Sequence, residues 1–129
     1  MKIDFHTHIL PENIPNFKEK FGYGGFIQIN KLNENNYVMN YDNGNFFRCI
    51  ECNCFNINKR LEECDVNSVG IQVILIVPVM FSYWAKPEHT LEVCQFINNH
   101  ISEICKKSKR FVGLGILPMN DVDLAIKEV

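Results

Sequence analysis

His6 and His8 stand two residues apart in the opening stretch M-K-I-D-F-H-T-H-I-L. Side chains on a β-strand alternate between faces, so residues at i and i+2 point the same way. Two imidazoles on one face direct a ring nitrogen each at a single point near the strand end, which suits a divalent ion. The same alternation predicts Asp4 beside them, with Ile3, Phe5, Thr7 and Ile9 on the opposite, mostly apolar face. The competing explanation is a half-exposed strand that carries polar residues by chance. Position favours the metal. The pair sits at the C-terminal end of a first strand, in a chain that goes on to alternate strands and helices. In a (β/α)8 barrel that end of each strand carries the chemistry.

Cysteine is the other residue type with ligand character. The chain has six, and Cys49, Cys52 and Cys54 form a C-x-x-C-x-C cluster. A second ligand pair at zinc-finger spacing is missing, so a structural zinc at this cluster is disfavoured. Cys64, Cys94 and Cys105 fall on the apolar stripes of predicted helices and are expected to behave as small buried hydrophobes. With no secretory signal and a substantial apolar content, a disulfide scaffold is not expected.

The elements that must position these residues follow in order. Pro11 and Pro15 mark an exit loop, and residues 16–22 form a short helical turn ended by Gly22. An Asn-rich stretch holds three β-like pieces, F-I-Q-I-N, Y-V-M-N-Y and F-F-R-C-I-E, with Asp42-Asn43-Gly44 as a hairpin signal between the last two. This predicts a small antiparallel β insertion at about residues 23–52. Asn56 caps a helix over about 57–68, with Ile57, Leu61 and Cys64 on one face. The β-branched run I-Q-V-I-L-I-V-P-V predicts a parallel strand covered on both faces. A loop of large residues, M-F-S-Y-W-A-K, follows it. Pro87 opens a helix to about Ser108, and F-V-G-L-G-I-L-P gives a third strand. There the glycines are expected on the inner face, leaving room at a barrel's centre. Asp121 caps a last helix.

At 129 residues, 47% hydrophobic and 22% charged, the chain has the composition of one globular domain. A net charge of −2 gives no electrostatic reason for a nucleic acid or anionic membrane partner. No apolar run has the length of a membrane span, and the expected location is the cytosol. Three parallel strands cannot close a barrel. The expected fold class is therefore α/β: the N-terminal portion of a (β/α)8 TIM barrel, with the antiparallel insertion, within a partial barrel domain over 1–129.

The stretches M-K-I-D-F-H-T-H-I-L-P, F-G-Y-G-G-F, P-V-M-F-S-Y-W-A-K-P and R-F-V-G-L-G-I-L-P-M resemble the aminocarboxymuconate-semialdehyde decarboxylase family of the metal-dependent amidohydrolase superfamily. The H-x-H pair is common across that superfamily; the two aromatic loop motifs are far more specific. The resemblance implies that His6 and His8 are two ligands of Zn2+. It implies that Arg48 binds a carboxylate of a dicarboxylate substrate, in keeping with the fit of a guanidinium fork to a carboxylate. Met80, Phe81 and Trp84 are placed where a pocket wall would be, with packing against further barrel strands as the alternative. His89 and His100 match nothing catalytic.

The implied activity is zinc-dependent, non-oxidative decarboxylation in tryptophan (kynurenine) catabolism, limiting quinolinate and NAD synthesis. The implied acid–base histidine, third histidine ligand and aspartate ligand belong to later strands, so no catalytic residue is assigned in this chain, and the chain alone is expected to be inactive. The resemblance also implies a homodimer for the full-length protein. Alternatives are a non-catalytic truncated isoform or gene remnant, or another amidohydrolase-superfamily decarboxylase or hydrolase.

Overall fold

A computed structural model describes residues 1–129. Six strands and four helices occur in the order β1 (Lys2–Ile9), α1 (Phe17–Phe21), β2 (Ile27–Lys31), β3 (Asn36–Tyr41), β4 (Phe46–Glu51), α2 (Ile57–Val66), β5 (Val69–Ile76), α3 (Pro87–Lys107), β6 (Phe111–Gly113) and α4 (Val122–Glu128). They form two sheets. One is parallel, in the order β1-β5-β6; the other is antiparallel, β2-β3-β4.

The parallel sheet is covered on one face. Ile9, Ile74 and Ile76 are fully buried there, as are Cys94 and Ile97 of α3. Each such aliphatic side chain contributes roughly 1.5–3 kcal/mol by leaving water. The antiparallel sheet lays Ile27, Met39 and Ile50 against the same cluster, which also takes in Phe17, Phe26 and Phe55. One face of such a sheet in the core and one in water is the usual antiparallel arrangement. The opposite face of the parallel sheet is open, and Ile3, Phe5, Val112 and Leu114 are exposed.

Two expectations are corrected. The first concerns β1. Asp4 pairs with Gln72 but Thr7 with Ile74, so three steps of β1 span two of β5, and a bulge falls at Phe5–His6. Asp4 therefore does not share a face with the histidines. It accepts a hydrogen bond from Gln72 Nε2 at 3.1 Å and lines, together with Thr7, a cavity of about 350 Å3 beside α2. The second concerns β6. Gly113 faces α3, because a Cβ added there would lie 2.4 Å from Ile101 Cγ2 and 2.9 Å from Cys105 Sγ. The glycine admits a helix rather than emptying a barrel centre.

The third strand is also shorter than its sequence suggests. Beyond Gly113 only Leu114 N still reaches a strand, at Ile74 O. Ile116 instead exchanges both backbone bonds with the Asn98 side chain of α3, at 2.8 and 2.9 Å. A side-chain amide stands in for a neighbouring strand.

His100, on α3, is half-buried, and its Nε2 is buried without a partner. Burial holds its pKa below the usual 6.5; a hydrogen bond to the Leu10 backbone opposes this, and the Lys107 charge adds to it. The unfolded chain thus takes up this proton at higher pH than the native one. Stability from this residue is complete above about pH 6.5 and is lost as pH falls toward the lower native value. Urea unfolding between pH 7.5 and 5.5 is expected to show this slope in the wild type and a flatter one in His100→Gln.

Candidate metal centre

The bulge and the last residues of β1 set the site. Beyond the bulge alternation resumes, with Thr7 and Ile9 toward the helices. His6 and His8 lie on the same side, with their Nε2 atoms 3.3 Å apart and their rings edge to face at 5.0 Å between centroids. At that separation either one Nε2–H donates to the other ring, or a cation takes both lone pairs. Two nitrogens about 2.05 Å from one ion at a tetrahedral angle lie about 3.3 Å apart. The pair therefore fits a tetrahedral divalent ion. No group of three or more His, Cys, Asp or Glu side chains converges in the chain. The C-x-x-C-x-C residues do not gather either, and all six cysteines are free thiols. Burial pushes the Cys94 thiol up to about 12, as expected for an inert packing residue.

β1 and β5 run parallel, so the segment after β5 lies at the same end of the sheet as His8. Pro78 starts a short 3-10 turn there, Pro78–Met80. Met80 is packed into the core, Phe81 is half-buried 5.4 Å from Tyr83, and Trp84 is 54% exposed. The Trp84 ring lies over Phe26 at 4.9 Å and over Gly25. Gly25 has φ +116°, and a Cβ there would come within 2.8 Å of the indole, so both its conformation and the contact require glycine. The F-G-Y-G-G and Y-W motifs thus meet in space. Arg48 lies on the exposed part of β4, opposite Met39, with its guanidinium in no ion pair or hydrogen bond.

One residue at the site escaped the sequence reading. Arg60 of α2 is only 7% exposed. It donates to His8 O at 2.7 Å, Thr7 Oγ1 at 2.9 Å and Gln72 Oε1 at 3.3 Å. The signal was present: position 60 falls three residues after Ile57 and four before Cys64, on the apolar stripe.

No family model matches the chain. Among curated proteins it is 46% identical, over its whole length, to a 2-amino-3-carboxymuconate-6-semialdehyde decarboxylase of Dictyostelium discoideum, covering 36% of that protein. It is 46% identical over 98% of its length to the decarboxylase of the same name from Caenorhabditis elegans, covering 31% of it. The chain thus spans about a third of the length of these relatives. Among solved structures it resembles Metarhizium anisopliae IDCase in its apo form, with a TM-score of 0.68 and 14% identity over 98% of this chain and 37% of that one. That likeness shows the fold, an α/β arrangement shared with part of a (β/α)8 barrel. On the identity to these two relatives, the chain belongs to the 2-amino-3-carboxymuconate-6-semialdehyde decarboxylase family.

Proposed function

We propose that the whole protein is a zinc-dependent carboxy-lyase that removes CO2 from 2-amino-3-carboxymuconate semialdehyde without oxidation, and that this chain supplies two of its zinc ligands. The observation that carries this reading is the 3.3 Å spacing of His6 and His8 Nε2 at the C-terminal end of β1, in a chain with decarboxylase relatives. His6 and His8 would hold the ion through Nε2. When bound, zinc supplies a Lewis acid at the reacting centre.

The chain's own groups do the rest of what falls to it. The unpaired Arg48 guanidinium receives a substrate carboxylate, and Phe81 and Trp84 present apolar surface that limits water near the reacting carbon. This reaction belongs in tryptophan catabolism by the kynurenine route, where it diverts carbon from quinolinate and NAD synthesis, in the cytosol and in a homodimer. No helix is long and apolar enough to cross a membrane.

The test is direct. The whole protein, loaded with zinc, is expected to release CO2 from 2-amino-3-carboxymuconate semialdehyde, and Arg48→Met to raise KM about 10- to 100-fold with a smaller change in kcat, as expected for loss of a charged hydrogen bond of about 1.5–3 kcal/mol. Absence of turnover with zinc bound at His6 and His8 would remove the substrate assignment. The isolated 129-residue chain, with two ligands only, is expected to show none.

A further inference from the structure

Arg60 is a buried cation that makes hydrogen bonds but no ion pair. A buried charge without an ion pair is costly, and no carboxylate lies within ion-pair distance of it. Burial accordingly lowers its pKa, against the opposing influence of Cys54, Cys64, Glu63 and Asp4 nearby. Arg60 lines a cavity of about 350 Å3 together with Asp4, Thr7, Glu63 and Gln72. The guanidinium holds both sides of the β1 bulge. Nη2 takes the His8 carbonyl and Nη1 takes the Thr7 hydroxyl and Gln72 Oε1. Gln72 in turn donates to Asp4 on the far side of the bulge.

The His8 ring has no such support of its own. Its Nδ1 is buried with no hydrogen-bond partner, whereas a metal-binding imidazole ordinarily donates that N–H to an acceptor that fixes the ring. The aim of His8 Nε2 therefore depends on its backbone, which the ladder to β5 holds on one side and Arg60 holds at the carbonyl.

We propose that Arg60 is a positioning residue for the metal pair: its buried guanidinium clamps the carbonyl of His8 and the hydroxyl of Thr7, and so sets the direction in which the two imidazoles point. This inference rests on the reading of His6 and His8 as metal ligands, and the experiment separates the two.

The probe is Zn2+ for affinity and Co2+ for its visible absorption spectrum, titrated into the metal-free whole protein and its variants. Arg60→Met is expected to weaken Zn2+ binding about 10- to 100-fold, the usual range for an outer-shell partner, and to change the Co2+ spectrum. Arg60→Lys, which keeps the charge but not the fork, is expected to recover little of either. Arg60→Ala is expected to regain affinity when free guanidinium is added. Cys64→Ala removes a buried neighbour on the same helix and is expected to leave both readouts unchanged. If Arg60→Met does not fold, the Lys variant carries the test.

Unchanged affinity and spectrum in the Arg60 variants would overturn the inference while leaving the ligands standing, and so would equal losses in Cys64→Ala. Wild-type affinity and spectrum in His6→Ala and His8→Ala would instead overturn the metal reading itself.

Discussion

Alanine at His6 or at His8 is expected to strip zinc from the whole protein and to lower kcat/KM by about a thousandfold. Loss of Lewis-acid stabilisation is worth several kcal/mol of barrier, and about 4 kcal/mol corresponds to three decades of rate. The effect should fall on function and spare the fold. His6 is exposed and His8 half-buried, neither belongs to the hydrophobic cluster, and the backbone bonds that hold the strand end survive the substitution. Metal content by atomic emission, steady-state kinetics and circular dichroism together check this. A His6→Ala protein that retained one zinc per chain and normal turnover would show that the imidazoles are ornaments of the strand.

Gly113→Ala should do the reverse, damaging the fold before the chemistry. On an ordinary strand such a change is mild, since alanine lowers the entropy of the unfolded chain. Here the new methyl would collide with Ile101 Cγ2 and Cys105 Sγ. Ile101 is a stiff β-branched residue, buried in α3, and cannot swing aside, so the helix must lift from the sheet. A loss of about 1–3 kcal/mol is expected from overpacking of this kind, measurable by urea unfolding. Ile101→Ala removes the offending methyl and opens a cavity of its own, costing about 2–5 kcal/mol. The double variant should cost less than the sum of the singles. Strict additivity would mean that the two positions do not touch in the way described.

The histidine pair and Gly113 also show what the sequence could and could not convey. The H-x-H pair was legible because the extra residue falls before Thr7, so the two-residue period holds from His6 to His8. Asp4 was misplaced because it lies before the extra residue, and nothing in K-I-D-F-H announces a bulge. The alternation of V-G-L-G-I correctly separated Val112 from Gly113, but which face met the helix depended on α3, and so on packing. The strand's early end had the same cause: Asn98 competes for the backbone of Ile116, and an amide on a helix is indistinguishable in sequence from a solvated one. Arg60 was passed over because arginine is ordinarily a surface residue, although its stripe position marked it as buried. The aromatic motifs and Arg48 carried meaning through family resemblance. Neither composition nor period would have singled them out.

The parallel ladder joins distant parts of the chain, with Lys2 opposite Val69 and His8 opposite Leu75, while β3 and β4 meet across a short turn. Contacts between remote residues form slowly because the intervening chain must first be brought together. In refolding, amides of the antiparallel strands should accordingly gain protection from exchange before those of β1. During synthesis β1 emerges before β5 and waits without its partner strand. The arrangement of the two imidazoles thus takes shape only once Leu75 has been added, since their strand has no neighbour in the sheet before then.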